Sequence, residues 1–541
     1  MRLYLYTAAL CSVPWLVVAE RNTCRDQTEW RTAESAFRCH QACDSLRSSG
    51  RTDLQVYSAQ VPQNFEFYSA QQDEIIPLCV VRPRTPDAVA KVLQVATQHK
   101  CPFAIRSGGH SLAHGSSNIQ DGIVIDLRHF NRTVVSTDKQ SAWVGVGNRW
   151  GDVYNALESQ GLAIVGGRVS SVGVGGFTLG GGISWLSRRH GWAINNVRQF
   201  EVVLPNSTVV YASDTSHPDL FFALRGGGAN FGIVTCIEFN IYEDTLLWGG
   251  QNIYLVEDHP RRRAQLGLQS QFSWTLFSAK VKASALIQRA AILFGYGMRS
   301  DDLIEAFVKL GNNEADVRPH SFLFFGWAPV TASWLIGATA VYSEPIEQPR
   351  ILQNLTKPSG ILSSNRFGRQ SSFSQEIEGN NPPVWRTSTF KLDAGLISKL
   401  FDILMEECEP VIPVVQDALI TTNLQLLTKP EIAMLAGNGG ISFGMEEEDG
   451  PLFLYSVAII YHSEKDDKVI EELAERIISR SADLAKRMGL YHTFLYSNYA
   501  AIDQDVFAGF SPKHQQRLRE VHRLYDPLGE YAALHTNSFW S

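Results

Sequence analysis

Arg106-Ser107-Gly108-Gly109-His110-Ser111 is the stretch on which the reading of this chain turns. Pro102 to Arg106 reads as a strand that stops in a tight turn, and two successive glycines can take backbone angles closed to other residues. Consecutive N–H groups in such a turn form a concave, electropositive nest suited to a pyrophosphate. His110 follows the nest directly, placed to touch or bond whatever that phosphate belongs to. The run from Gly166 to Gly182, Gly-Gly-Arg-Val-Ser-Ser-Val-Gly-Val-Gly-Gly-Phe-Thr-Leu-Gly-Gly-Gly, answers it with more bare backbone than packing requires. A third cluster, Gly226-Gly227-Gly228-Ala229-Asn230-Phe231-Gly232, falls at a loop-to-strand junction. The commoner nucleotide motifs do not fit. G-x-G-x-x-G fails from Gly173 because Thr178 fills its last position, and from Gly226 because Phe231 does; no Gly-Lys pair exists to make a P-loop. One glycine loop is usually only a turn. Three within one segment, one carrying a histidine, point to a bound phosphate-bearing cofactor.

Outward from that segment, the 541 residues suffice for two or three domains and a large core. With 44% hydrophobic and 19% charged residues and a net charge of −7, the composition is globular and mildly acidic. The absence of a basic block argues against a nucleic-acid partner. The 11% aromatic content suits an apolar pocket or a large core. Residues 1–19 read as a secretory signal: Arg2, an apolar stretch from Leu3 to Val18 broken by Thr7, Ser12 and Pro14, and a small-residue cleavage pattern at Val17-x-Ala19. That stretch is too short and broken to span a bilayer, and no other segment could, so no membrane association is expected. Of eight cysteines, Cys11 lies in the signal; Cys24, Cys39, Cys43, Cys79 and Cys101 cluster ahead of the first glycine loop. In a secreted chain that clustering reads as disulfides. Cys39-x-x-x-Cys43 has no second pair at zinc spacing, so no metal is expected. Asn131, Asn206 and Asn354 open N-x-S/T sequons.

Periodicity assigns the elements coarsely. Asp87 to His99 is an amphipathic helix with Val89, Val92, Leu93 and Ala96 on one face. Ile123–Leu127 and Trp143–Val146 are strands, a helix runs from about Asp152 to Gly161, and Phe200–Leu204 with Thr208–Tyr211 form a hairpin. A strand enters from Gly232 and ends near Tyr242. Farther on, Asp301–Leu310 and Leu396–Cys408 are helical, and Ser321–Trp327, Trp334–Tyr342 and Leu452–Tyr461 are strands. The stretch 344–383, rich in Pro, Ser, Asn and Gly, reads as a long surface loop. A helix from about Asp466 to Met488 is periodic in Val469, Leu473, Ile477 and Leu484 and stops at Gly489; Ser511-Pro512 caps another, ending near Tyr525. Gly440-Ile-Ser-Phe-Gly444 fits the G-x-S-x-G elbow of serine hydrolases, but loops flank it on both sides where a strand and a helix are required.

R-S-G-G-H-S, then G-R-V-S-S-V-G-V-G-G-x-x-L-G-G-G, then R-G-G-G-A-N-F-G-I-V-T, in this order, resemble the FAD-binding domain of the vanillyl-alcohol-oxidase/p-cresol-methylhydroxylase (PCMH) superfamily. Within it the chain is similar to the berberine-bridge-enzyme-like oxidases, in particular their fungal secreted members. The resemblance implies an α+β fold: a two-part PCMH-type FAD-binding domain and a substrate domain with a large antiparallel sheet. It divides the chain into a signal peptide (1–19), an N-terminal segment (20–72), the FAD domain (73–244), the substrate domain (245–488) and a C-terminal segment (489–541) that returns to the FAD domain. It also places a helix cysteine opposite one ahead of the Pro83 strand exit, implying a Cys43–Cys79 disulfide.

A flavin enzyme must hold the pyrophosphate, tune the isoalloxazine, and position substrate with a base near it. The expected cofactor-binding residues are Arg106, Ser107, Gly108, Gly109, His110 and Ser111 in the first loop. Ser171, Val172, Gly173, Gly175 and Gly176 follow in the second, with Gly232, Val234 and Asn498 elsewhere. By the resemblance His110 is the covalent attachment point of FAD. Relatives that attach it twice carry a cysteine three residues before the Val-Gly-Val-Gly-Gly segment; Val169 stands there, which implies a single attachment. Asn498-Tyr499 matches the family's active-site pair, making Tyr499 the candidate base and Tyr496 a second catalytic candidate, with Tyr455 and Tyr461 behind them. A tyrosine is a poor base unless its surroundings help it. The tail Ala500-Ala-Ile-Asp503 departs from the family's charged one. The implied function is a secreted FAD-dependent oxidase that removes a hydride from a small, secondary-metabolite-like substrate and reduces O₂ to H₂O₂. A carbohydrate oxidase and a flavin-binding protein without turnover are the alternatives.

Overall fold

The computed structural model describes residues 34–58, 65–112, 115–256, 297–357, 360–376, 384–437, 440–536 and 538–539. The signal-peptide reading of residues 1–19 lies outside them, as does Cys24. The α+β class expected from the sequence is observed, built on three sheets.

The first sheet orders Leu54–Ser58, Cys79–Pro83, Ile123–Asp126 and Phe103–Arg106, the last three mutually parallel. Both faces of its parallel strands are covered, which is why these strands read as continuous apolar runs. The helix Pro86–His99 crosses between two of them. Thr85 caps it by accepting from the Ala88 N–H, Pro86 opens it, and Lys100 closes it in the left-handed conformation. Val89, Val92, Leu93 and Ala96 are buried as the periodicity requires. Two disulfides, Cys43–Cys79 and Cys39–Cys101, fasten the helical stretch 34–48 to this sheet. They close sequence separations of 36 and 62 residues, each worth about 4 kcal/mol by loop entropy. The pairing implied for Cys43 is therefore present.

The second sheet is antiparallel, in the order Thr133–Val135, Ser141–Gly145, Ile233–Glu243, Val197–Val203, Val209–Ser213, with Leu162–Ile164 on the far end of Ile233–Glu243. The expected hairpin is there, turning through Ser207 at φ 67°.

The third sheet has ten strands among the described residues. Its centre runs Leu247–Val256, Ser333–Tyr342, Pro319–Ala328, Leu419–Leu427, Leu452–Ile460, Val384–Lys391. On one face lie the helices Ser300–Gly311, Ala394–Cys408 and Asp467–Met488, packed into a core with Leu323, Phe325, Leu424 and Tyr455. Because side chains alternate along a strand, the neighbours of these residues face the opposite way. Phe322, Thr421, Asn423, Gln425, Ser456, Ala458 and Ile460 line a cavity between this sheet and the rest of the molecule.

Three sequence expectations need correction. The stretch 344–383 is not one surface loop: Leu362–Ser363 and Arg366–Gly368 pair with Leu247–Val256, and Gln370–Glu376 is helical. Backbone pairing to a neighbouring strand holds these pieces, which local composition does not encode. The helix Asp467–Met488 buries Ile470, Leu473, Ala474, Ile477 and Ile478, leaving Val469 and Leu484 at the margin of the packed face. The earlier helix starts at Trp150 rather than Asp152, because the fully buried Trp150 packs in the core beside Val153 and Tyr154. Gly440–Gly444 is a loop in which the buried Ser442 hydroxyl donates to the Arg225 carbonyl. Asn131, Asn206 and Asn354 are exposed. No helix among the described residues is long and apolar enough to cross a membrane.

Candidate active site

The strand Phe103–Arg106 delivers the first glycine loop, and a buried charge cluster fixes where the strand ends. Asp126, fully buried on the adjacent strand, receives Arg82 at 2.9 Å, Arg106 at 3.3 Å and Arg128 at 2.6 Å. The Arg106 guanidinium also lies over the Phe65 and Phe67 rings, and burial brings its pKa down to about 10. It is thus directed into the protein and away from the cavity. Gly109 takes φ +69°, and a Cβ there would meet the Arg106 guanidinium at 2.8 Å, so this glycine is required twice over.

The two glycine loops touch backbone to backbone. A Cβ on Gly108 would lie 2.5 Å from Gly173 Cα, and one on Gly173 would lie 2.3 Å from Gly108 N. Ser107 locks the contact: its hydroxyl donates to the Val146 carbonyl and accepts from the Gly175 N–H at 3.2 Å. His110 then sits over the second loop, its Nε2 3.3 Å from Ser171 Oγ and its ring stacked on Tyr68 at 3.8 Å between centroids. Gly176 differs from the other loop glycines, since a Cβ there would meet nothing within 4 Å.

These loops form one wall of a cavity of about 900 Å³, and the third sheet forms the other. Of the residues singled out from sequence, Ser107 to Ser111, Val172, Gly173, Gly175, Gly176, Val234, Tyr496, Asn498 and Tyr499 line it. Arg106, Ser171 and Gly232 do not. Arg106 anchors the loop, Ser171 meets His110 from behind, and Gly232 at φ +144° packs against the Val203 carbonyl. Val169 also lines the cavity. Among the described residues the free cysteines are Cys236 and Cys408, neither at the cavity; burial pushes the Cys236 thiol up to about 12.

The C-terminal segment completes the site. Asn498 braces it, donating to the Phe177 carbonyl and to the Tyr496 hydroxyl, both at 3.0 Å. Tyr496 is fully enclosed and its pKa is raised by burial, so it stays a neutral phenol. Its ring meets Tyr499 edge-on at 4.8 Å. The divergent tail after Tyr499 is pinned to the strand Val384–Lys391, where Gln504 exchanges hydrogen bonds with both backbone groups of Thr387 and Asp503 receives Arg386. Tyr455 and Tyr461 lie off the cavity: the first points into the helix-covered core, the second donates to Asp467.

Two polar residues absent from the sequence-based candidates, Arg168 and Gln425, hold Tyr499, and a third, His320, holds Arg168. Arg168 Nη2 donates to the Tyr499 hydroxyl and to Gln425 Oε1, each at 2.6 Å, and the Tyr499 hydroxyl donates to Gln425 Oε1 at 3.1 Å. Arg168 Nη1 donates to His320 Nε2 at 3.3 Å. His320 is fully buried, and burial with the neighbouring Arg168 holds it well below its usual range, hence neutral. Arg168 could have been noticed as the lone charge in a seventeen-residue glycine-rich run spanning 166–182. Gln425 and His320 carried no local signal, being single polar positions on strands the sheet brings in from far away.

The cavity therefore brings together the backbone of two glycine loops, a histidine, and a tyrosine held by an arginine and an amide. Buried Ser117 Oγ and Gln425 Nε2, both in lining residues, have no hydrogen-bond partner. Together with the open Gly176, they fit an extended polar cofactor rather than a protein-filled core.

The chain matches the FAD binding domain family over residues 77–213. It is similar to FAD-dependent monooxygenase tpcD of Cochliobolus heterostrophus, 32% identical over 522 residues, covering 92% of this chain and 93% of that protein. Among solved structures it is similar to 6-hydroxy-D-nicotine oxidase from Arthrobacter nicotinovorans (TM-score 0.69, 18% identity, 89% of this chain and 97% of that one). It is also similar to glucooligosaccharide oxidase from Acremonium strictum (TM-score 0.68, 16% identity, 92% and 99%), described with a 6-S-cysteinyl, 8α-N1-histidyl FAD.

Proposed function

The chain belongs to the FAD-dependent oxidoreductases of the berberine-bridge-enzyme-like group, and from that premise we propose that it is a secreted oxidase of small, secondary-metabolite-like molecules. The observation that carries the proposal is that one cavity is lined by both glycine loops and by Tyr499, Arg168 and Gln425. When bound, FAD would supply the hydride acceptor and the route for electrons to O₂. The protein's part is to hold the cofactor, orient the substrate and take a proton.

Ser107 to Ser111 and Val172 to Gly176 would cradle the pyrophosphate with backbone N–H groups. His110, steadied by Ser171 and the Tyr68 ring, would carry the covalent bond to FAD. With Val169 lining the same cavity and no cysteine on its wall among the described residues, the attachment would be single. To act as base, Tyr499 would first lose its hydroxyl proton to solvent; its oxygen, still held by the Arg168 guanidinium, would then take the proton that leaves the substrate as hydride departs. Arg168 fixes the position of the Tyr499 oxygen, and Gln425 holds Arg168 in turn. Trp385, packed on Tyr499 at 4.8 Å, and Phe322 give this end of the cavity aromatic walls, which favours a flat or apolar substrate over a sugar. The two disulfides and the signal-like residues 1–19 support secretion.

Relatives named monooxygenases favour a second reading in which an oxygen atom stays on the product. Assaying a panel of alcohols, aromatic metabolites and sugars under ¹⁸O₂ separates the two. Stoichiometric H₂O₂ with unlabelled product supports the oxidase, whereas ¹⁸O in the product supports oxygen insertion. Flavin that no panel member bleaches overturns both. Acid precipitation tests the attachment: the wild-type pellet stays yellow and yields a flavin peptide containing His110 and no cysteine, and His110→Ala releases its FAD. A cysteinyl flavin peptide refutes the single attachment.

A further inference from the structure

We propose that Arg168 binds an ionised oxygen of the substrate, so that the molecules this site accepts are carboxylates or the conjugate bases of acidic phenols or enols. The inference rests on the cavity being the substrate site of the flavin enzyme described above, and adds what that substrate must carry.

Arg168 lines the cavity and is partly buried, yet among the described residues no carboxylate side chain holds it. Its contacts are the Tyr499 hydroxyl, Gln425 Oε1, His320 Nε2 and the faces of Trp185 and Phe322 at 5.7 and 5.5 Å. Among the described residues no carboxylate lies within 4.0 Å of its guanidinium. The carboxyl whose field does reach it, Glu431, is committed as the capping partner of Thr428, accepting from both its N–H and its hydroxyl. Glu431 is fully buried, and burial pushes its pKa up, so it is a poor counterion. A guanidinium that faces a cavity with no anion beside it is available to an anionic group of a ligand.

The donor count agrees. Arg168 presents five N–H groups. Three are used, two on Nη2 and one on Nη1, which leaves Nε–H and one Nη1–H with no protein acceptor among the described residues. Gln425 supplies a second free donor. Its Oε1 accepts from both Arg168 and Tyr499, which fixes the amide with Nε2 turned away from them. Gln425 is 3% exposed and lines the cavity, and Nε2 has no partner. A cation and a buried amide N–H, side by side next to the Tyr499 hydroxyl, are complementary to an acceptor-only, negatively charged oxygen. A neutral hydroxyl would leave the charge unanswered. A rigid aromatic frame is accommodated by Phe322 and Trp385.

The test is calorimetric titration of the flavin-loaded wild type, in low-chloride buffer, with benzoate against benzamide and with 4-nitrophenolate against nitrobenzene. The first pair reads a carboxylate, the second an aryloxide. At least one anion is expected to bind about tenfold or more tightly than its neutral counterpart. Arg168→Gln erases that preference, while Arg168→Lys, which keeps the charge, retains part of it. Equal binding of anion and neutral isostere in both wild-type pairs overturns the proposal without requiring any variant to fold. A preference that survives in flavin-loaded Arg168→Gln overturns it as well. These titrations do not depend on turnover. Oxidation of neutral molecules without any anion preference would remove this inference and leave the oxidase reading intact; an anion preference without turnover of any substrate would do the reverse.

Discussion

Gly176→Ala separates what the second glycine loop does for the fold from what it does for the cofactor. Gly176 lies inside the short helix Val174–Leu179, so alanine meets no conformational barrier there. In a helix interior alanine is favoured over glycine by about 0.5–1 kcal/mol. A Cβ at this position meets no atom within 4 Å, because it projects into the cavity. The cofactor-free protein is therefore expected to be unchanged or slightly more stable. If FAD lies against this backbone, the same methyl occupies space the cofactor needs, and close overpacking costs about 1–3 kcal/mol. That corresponds to a loss of FAD affinity of about 5- to 150-fold. Gly173→Ala is the contrasting variant. Its Cβ would lie 2.3 Å from Gly108 N and 2.6 Å from Gly108 Cα, both backbone atoms that can move only if the loops part. It should lose stability without cofactor as well as affinity for it. The measurements are urea midpoints of protein prepared under riboflavin limitation and, in a His110→Ala background where no covalent bond forms, FAD binding by fluorescence quenching. Full FAD affinity in Gly176→Ala would refute the placement of the cofactor along this loop. A destabilised cofactor-free Gly176→Ala would refute the claim that its Cβ enters open space.

Tyr499→Phe removes the hydroxyl held by Arg168 and Gln425 and is expected to slow flavin reduction by about 10²–10⁴-fold with little change in substrate affinity. Stopped-flow reduction that loses less than tenfold assigns the proton to another group. His320 and His535 are fully buried, with burial holding the first well below its usual range and bringing the second to about 4. Unfolded histidines protonate near pH 6.5 while these two do not, so the unfolded chain binds more protons and stability falls as pH drops below 6.5. Each contributes about 1.4 kcal/mol per pH unit at most until its folded pKa is reached. Urea midpoints that stay flat from pH 6.5 to 4.5, or a slope unaltered in His320→Gln and His535→Gln, contradict this. Cys43→Ser opens a disulfide closing 36 residues and should cost about 4 kcal/mol, read as a lowered denaturant midpoint; a loss below about 1 kcal/mol would mean the unfolded chain is already constrained there.

Sequence by itself determined the parts whose physics is local. The Gly108-Gly109 turn, the Gly166–Gly182 run and the Thr85-capped helix each follow from backbone freedom or short periodicity, and they were legible without a partner. The same holds for the long helix stopped at Gly489, which takes φ +69°. Gly109 and Gly173 could also be picked out as glycines, but their separate reasons could not: one avoids Arg106, the other lets two loops touch. The strand pieces within 344–383 escaped because their hydrogen bonds go to Leu247–Val256, about a hundred residues away. Only the tertiary structure decided which tyrosine meets which charge. Tyr455 and Ser456 are neighbours in the chain, yet the pleat sends one into the helix-covered core and the other to the cavity. Arg168, His320, Gln425 and Tyr499 come from four separate elements and are inconspicuous in each. Charge and hydrogen bonding act through space over a few ångströms, so the chemistry of this site exists only where the sheet folds onto the glycine loops.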